Sequence, residues 1–269
     1  MEQNITEVDR VEILTLQDNY IDIVRQDNNE VIQRAIPVKD GEIKNSVLAE
    51  HGFSSLVTVS KGDNRRSIIF DFGFSADGAA RNVEALQADL GSVEAAVLSH
   101  GHMDHTGGMA ALLKMTDKKG IPLVAHPEVF RAGRYKKVGP GLNVAFPPFT
   151  WEMVEKTGAT LIETDKPYPL VDGTLLFLGA IPRLTDFEKG AAISVTGVEE
   201  VFAVMGGFHL GGQDMAEVVE PTVKALKEID PRYVIPTHCT GREAVMEIER
   251  QMPNQFLLNM SGTRLTFSA

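Results

Sequence analysis

Cysteine is almost absent from this chain of 269 residues. Cys239 stands alone, so no disulfide can close within the chain and no cysteine-held iron–sulfur cluster can form. Positive charge is also scarce: 26 lysines and arginines face 37 aspartates and glutamates, a formal net charge of −11. Binding to nucleic acid or to an anionic membrane needs clustered cations, so neither is expected as a partner. A small anionic substrate held by a few local cations is compatible with that balance. No apolar run approaches the roughly 18 residues that span a bilayer. The start Met1-Glu2-Gln3-Asn4 has neither the basic residues nor the apolar core of a signal peptide, and a cytoplasmic protein is expected. Repeats, low-complexity tracts and a linker are missing as well, which leads to the expectation of a single domain over 1–269. A homo-oligomer is compatible with this composition. The apolar fraction of 43% supplies an ordinary packed interior.

Histidine, by contrast, is concentrated. Three of the seven histidines lie in Ser99-His100-Gly101-His102-Met103-Asp104-His105-Thr106-Gly107-Gly108. The preceding Val93-Glu94-Ala95-Ala96-Val97-Leu98 is short and apolar and reads as a buried strand. A strand ending in H-x-H-x-D-H delivers imidazoles and a carboxylate to its carboxyl end, where ligand sites form in layered α/β folds. In extended backbone His100 and His102 point to one side and can reach one metal. A turn through Met103 then offers Asp104 and His105 to a second. The plainer reading is a polar loop capping a helix that begins near Gly107, but a cap needs one acceptor, not four ligand side chains.

The rest of the pattern alternates strand and helix, which argues for an α/β sheet. Strands are expected at Val11–Leu16, Ser55–Val59, Ser67–Asp71, Ile121–Ala125, Thr174–Leu178, Val201–Val204 and Tyr233–Pro236. Helices are expected at Ala79–Leu90, Gly108–Met115, Glu217–Ile229 and Arg242–Met252, with a short one at Trp151–Lys156. Gln26–Lys44 reads as a surface excursion. Val138–Phe149, rich in Gly, Pro and Phe, reads as an ordered loop over the site. Further strand ends carry Asp71, His209 and His238. Each alone is more simply a satisfied core residue; four strand ends bearing Asp, H-x-H-x-D-H, His and His in this order are not.

These residues, Asp71, His100, His102, Asp104, His105 and His238, resemble the pattern of the metallo-β-lactamase superfamily. A narrower resemblance is to its methanopterin-pathway dihydropterin synthase-like branch, also described as β-ribofuranosylaminobenzene 5′-phosphate synthase-like. It is carried jointly by Glu50-His51-Gly52-Phe53-Ser54, Ala125-His126-Pro127, Ile181-Pro182-Arg183, Gly206-Gly207-Phe208-His209-Leu210 and Pro236-Thr237-His238-Cys239-Thr240-Gly241. The resemblance implies an α/β fold, the metallo-β-lactamase-like four-layer αββα sandwich, with two divalent metals at one edge. Zinc is favoured, with manganese and iron as alternatives. In that branch a further strand with a histidine ligand lies between the Ile-Pro-Arg and Gly-Gly-Phe-His motifs. Here no histidine occurs between His126 and His209, and the family segment is absent between about 187 and 198. A break in the polypeptide between Phe187 and Val198 is therefore expected.

By this resemblance His100 and His102 hold the first metal, and Asp104, His105 and His238 the second. Asp104 and His209 are the candidate catalytic residues; for His209 metal binding, substrate hydrogen bonding and proton transfer all stay open. Asp71 is expected to orient the histidine loop rather than bind metal. Arg183 is the candidate cation for an anionic substrate group, with a surface salt bridge equally open, and Glu50, His51 and His126 are candidate pocket lining. Arg131, Arg134, Lys136 and Lys137 read as a solvated face or as a phosphate contact. The implied activity is metal-dependent hydrolysis or group transfer on a small phosphorylated or carboxylated molecule. A phosphodiesterase, a lactonase or a metal-bound sensor without turnover are the alternatives.

Overall fold

A computed structural model describes residues 5–36, 38–44, 46–139, 141–181, 196, 200–212 and 215–269. Arg183 and the expected break between Phe187 and Val198 lie outside the described residues. The chain forms two compact units, residues 5–180 with 261–269, and residues 181–260.

The first unit begins with strand β1 (Arg10–Gln17), the two-residue β2 (Ile32–Gln33) and a small hairpin of β3 (Val38–Lys39) and β4 (Glu42–Ile43). Then come β5 (Ser54–Lys61), β6 (Asn64–Phe70), helix α1 (Gly78–Leu86), β7 (Val93–Leu98), the single-turn α2 (Met103–Thr106) and α3 (Met109–Met115). Next are β8 (Pro122–Ala125), the hairpin β9 (Tyr135–Gly139) and β10 (Leu142–Ala145), α4 (Trp151–Glu155) and β11 (Thr160–Glu163). A third hairpin pairs β12 (Tyr168–Leu170) with β13 (Leu175–Phe177). The second unit contributes β14 (Ala203–Gly206) and β15 (Tyr233–Pro236), and β16 (Arg264–Ser268) belongs again to the first.

Eight strands of the first unit form one sheet in the order β11-β8-β7-β6-β5-β1-β16-β2. The β11, β8, β7 and β6 side is parallel. From β6 to β2 every pairing is antiparallel. Strands β7 and β8 are apolar at all but one position, Glu94, because both sheet faces are covered there. On one face Ile69, Ala96, Leu98 and Leu123 pack with Val83 of α1 and with Leu112 and Leu113 of α3. On the other, Ile68, Ala95, Val97 and Val124 pack with Leu170, Val171 and the β12–β13 hairpin. Alternation within Ala95-Ala96-Val97-Leu98 thus feeds two cores in turn. Each fully buried aliphatic side chain contributes about 1.5–3 kcal/mol.

In the second unit β14 and β15 pair in parallel, Ala203 opposite Tyr233 through Gly206 opposite Pro236. Helices Ala216–Ile229 and Arg242–Gln251 bury Val223, Leu226, Ile248 and Met252 against Val234.

Four local expectations change. Helix α1 stops at Leu86, where Gln87 turns left-handed (φ 52°) and its N–H closes on the Glu84 carbonyl. Leu90 is buried beyond the helix rather than within it. The Gln26–Lys44 excursion contains β2, which pairs with β16 and buries Ile32, and the β3–β4 hairpin. Part of the Val138–Phe149 loop is the β9–β10 hairpin, in which register fixes the backbone without apolar alternation. Strands β11, β12 and β16 are additions to the expected set.

Candidate metal centre

Parallel register gathers the site residues. Phe70 of β6 stands opposite Val97 of β7, and Leu98 of β7 opposite Ala125 of β8. The next residues, Asp71, Ser99-His100 and His126, therefore emerge at the same carboxyl edge. Asp71 leaves its strand in the left-handed region (φ 58°), a conformation that favours glycine and is kept here by its contacts. Its N–H donates to the Val97 carbonyl at 3.0 Å, and its carbonyl accepts from the Ser54 hydroxyl at 2.9 Å. The carboxylate, 1% exposed, accepts from the Ser99 N–H (2.8 Å) and the Ser99 hydroxyl (2.7 Å). It also lies 2.7 Å from Nδ1 of His105. With Nδ1 occupied in this way, Nε2 is the ring atom of His105 directed to a ligand.

Helix α2 brings Asp104 and His105 back beside the H-x-H pair. Nε2 of His100 lies 3.0 Å from Nδ1 of His102. Two nitrogens bound to one ion at about 2.0–2.1 Å, subtending about 90–110°, are about 2.8–3.4 Å apart. The pair therefore has the spacing of two ligands on one ion. Ligand atoms of His100, Asp104 and His105 all lie within 4.8 Å of one another, and Nε2 of His105 is 4.0 Å from Oδ2 of Asp104. The donor set of imidazoles and a carboxylate fits zinc and its neighbours.

Electrostatics shift the two imidazoles in opposite directions. Burial, and then the adjacent His105, push the His100 pKa down to about 3, which leaves that ring neutral with a lone pair to donate. Burial opposes charge on His105 too, but the Asp71 carboxylate outweighs it through charge and hydrogen bond and raises that pKa.

The residues around this cluster are tied by short bonds. Glu50 accepts from Gln17 Nε2 (2.6 Å) and the Ser75 hydroxyl (2.7 Å), so its carboxylate ties its own loop to the end of β1 and to the loop before α1. His51 is exposed, with Nε2 3.4 Å from Asp104 Oδ2 and Nδ1 3.2 Å from Asn19 Nδ2. His126 caps a short 3-10 helix, its Nδ1 accepting from the Glu128 N–H at 3.1 Å. Of the basic cluster, Arg134 donates from Nη2 to the Glu128 (2.7 Å) and Val129 (2.9 Å) carbonyls, a structural use of the guanidinium. Sequence reasoning missed Phe146, whose ring stacks on His102 at 4.6 Å between centroids and 13° between planes. Its only signal was a phenylalanine in a loop read as lying over the site.

In the second unit His209 and His238 follow β14 and β15, the two strands that lie side by side. Both take left-handed conformations, φ 54° and φ 41°. Of nine non-glycine residues with positive φ among the described ones, Asp71, His209 and His238 are the three from the motif set. Such outliers concentrate at functional positions. His209 is exposed and His238 is buried.

Comparison with known proteins now gives this edge its family. A model described as the metallo-beta-lactamase superfamily matches residues 49–190, just over half of the chain. The chain belongs to the metallo-β-lactamase superfamily. Beyond the family model, the chain is similar to the 7,8-dihydropterin-6-methyl-4-(beta-D-ribofuranosyl)-aminobenzene-5′-phosphate synthase of Methanocaldococcus jannaschii. Identity is 26% over 294 residues, covering 91% of this chain and 92% of the relative. Among solved structures it is similar to Tm1679, described as a metal-dependent hydrolase of the beta-lactamase superfamily. The TM-score is 0.63 at 20% identity, over 96% of this chain and 100% of that one. The metallo-beta-lactamase fold protein YhfI from Bacillus subtilis matches with a TM-score of 0.50 at 13% identity, over 96% and 100%. The α/β sandwich expected from the motifs is thus the fold of the chain, and it is a fold of metal-dependent hydrolases. Among the described residues no helix is long and apolar enough to cross a membrane.

Proposed function

We propose that this protein is a dinuclear-metal hydrolase or transferase acting on a small anionic molecule, with chemistry of the dihydropterin synthase type. The observation that carries the reading is the 3.0 Å separation of His100 Nε2 and His102 Nδ1, with Asp104 and His105 beside them. In this reading His100 and His102 bind one ion, and Asp104, His105 and His238 a second. Zinc suits the set. Two such ions, when bound, supply the Lewis acidity that lowers the pKa of a water and stabilises charge on the attacked group.

The chain's own residues supply orientation and proton control. Asp71 keeps the proton of His105 on Nδ1 and aims Nε2. His100 stays neutral across the working pH range because burial disfavours its charge. Asp104 accepts a hydrogen bond from the attacking group, and His209 passes a proton to the leaving group. Arg183 binds the anionic end of the substrate through its planar fork. Similarity to a protein named as a dihydropterin ribofuranosylaminobenzene phosphate synthase favours group transfer, and the branch resemblance implies a diphosphate as the leaving group, while hydrolysis of a phosphodiester or lactone uses the same metal chemistry.

Turnover assays on metal-loaded protein separate these readings. The panel is a phosphodiester, a lactone, and a dihydropterin diphosphate with a ribosylaminobenzene phosphate. Condensation of the last pair supports the synthase reading, and hydrolysis of either of the first two replaces it. Full metal occupancy with no turnover on the whole panel identifies a binding or sensor module.

A further inference from the structure

The β9–β10 hairpin reaches the candidate metal centre through its base. There the Phe146 N–H donates to the Arg134 carbonyl at 2.9 Å, so the two residues flanking the hairpin face each other across it. Their side chains then take hold of consecutive residues of the H-x-H segment. Phe146 stacks on the His102 imidazole at 4.6 Å and 13°. Arg134 secures the Val129 carbonyl, and that oxygen lies 2.0 Å from where a Cβ on Gly101 would stand. Gly101 is therefore packed against the carbonyl that Arg134 holds, with Arg134 Nη1 itself 3.2 Å from the same Cβ position. The rest of the hairpin is largely solvent-facing, Tyr135 64% and Leu142 57% exposed. A two-stranded hairpin is marginal by itself, and the base of this one meets Gly101 and His102.

We propose that Phe146 and Arg134 are positioning residues for the metal ligand His102, together fixing the plane and height of its imidazole from outside the ligand set. His102 Nδ1 faces His100, and the stacked Phe146 ring restricts rotation about the bonds that would turn that nitrogen away. Arg134 acts one residue upstream, by fixing the carbonyl against which Gly101 rests. The basic residue that composition offers as a phosphate contact thus serves the backbone under the metal site. The inference rests on the reading that His102 ligates metal.

Cobalt(II) titration of the metal-free protein, followed by visible absorption, tests it without any substrate. Phe146→Leu keeps an apolar side chain on a half-buried loop position and removes the planar stack. It is expected to weaken cobalt binding about tenfold and to alter the ligand-field bands, with thermal melting unchanged. Phe146→Tyr restores the stack and should bind within about twofold of the original protein. Arg134→Ala should weaken binding in the same direction, and it provides a second variant if Phe146→Leu does not fold. His102→Ala separates the two levels of the argument. If it lowers cobalt binding while Phe146→Leu and Arg134→Ala keep the original affinity and spectrum, the positioning role is wrong and the ligand reading stands. If His102→Ala itself leaves binding unchanged, the ligand reading falls and the positioning role with it.

Discussion

The parallel and antiparallel halves of the eight-stranded sheet use the same kind of apolar strand and serve different purposes. In the parallel half, β6, β7 and β8 all run one way, so Asp71, His100 and His126 arrive at one edge although 55 positions separate the first from the last. In the antiparallel half successive strands reverse, and their ends are shared between both edges. On β1 the buried charge is held by ion pairs, one of them to Arg65 of β6, rather than by a ligand. Glu12 of β1, 4% exposed, is met by Arg65 at 2.9 Å, Arg264 at 3.5 Å and Arg10 at 3.7 Å. Direction of chain, more than composition, decides which half hosts chemistry.

Disturbing one position in each half should break this comparison or sharpen it. The largest effect is expected at Gly101, where a methyl group would meet the Val129 carbonyl at 2.0 Å. Gly101→Ala should cost about 3 kcal/mol or more and abolish tight metal binding. Its counterpart Gly62, in the β5–β6 turn with φ 57° and open space around it, should cost only about 1 kcal/mol on changing to Ala. Metal content of that variant should match the original protein. Chemical denaturation with metal analysis measures both.

Next in size is Asp71→Asn, which removes the charge that holds His105. Metal affinity is expected to fall about 10–100-fold in isothermal titration, with the fold retained. Glu12→Gln, the matching change in the antiparallel half, should instead lower stability by up to about 3 kcal/mol and leave metal affinity unchanged. A loss of metal binding in Glu12→Gln would erase the division of labour between the halves.

The sequence carried the parallel half well and the periphery poorly. Val93–Leu98 and the histidine block were legible because a short apolar run followed by ligand-type side chains is a local pattern. Tyr233–Pro236 was legible for the same reason, as an apolar run bounded by turns. Strand β16 alternates Arg264, Thr266 and Ser268 with apolar residues over only five positions, too short to separate from a tail. The β9–β10 hairpin is exposed on both faces, so no apolar alternation marks it. Phe146 on His102 is a non-local contact, and Arg134 reaches the Val129 carbonyl five positions back through a loop without a regular period, so no spacing rule announces either. Glu50 was singled out by motif, but its bonds to Gln17 and Ser75 depend on two loops meeting the end of β1.

The smallest expected effect lies at the antiparallel edge. Hydrogen bonding by Arg34, against burial and helped by Arg25, holds the Asp27 carboxyl well below the usual carboxylate range. A depressed folded pKa adds stability above the unfolded value of about 3.9, and that stability is lost as pH falls through the folded pKa. Asp27→Asn should therefore remove that contribution, lowering stability at pH 7 by about 0.5–1 kcal/mol once solvent screening of the partly exposed carboxylate is allowed for, and flatten the acid limb of the stability profile. Melting curves at stepped pH values read this directly.

The central claim, that the edge where the parallel strands end is a metal centre, is tested most directly by elemental analysis of purified protein beside His102→Ala and Asp104→Ala. Close to two transition metals per chain are expected in the original protein, or one if the family segment expected between about 187 and 198 is truly absent. Each variant should carry less metal at an unchanged melting temperature. Equal metal content in all three proteins would contradict it.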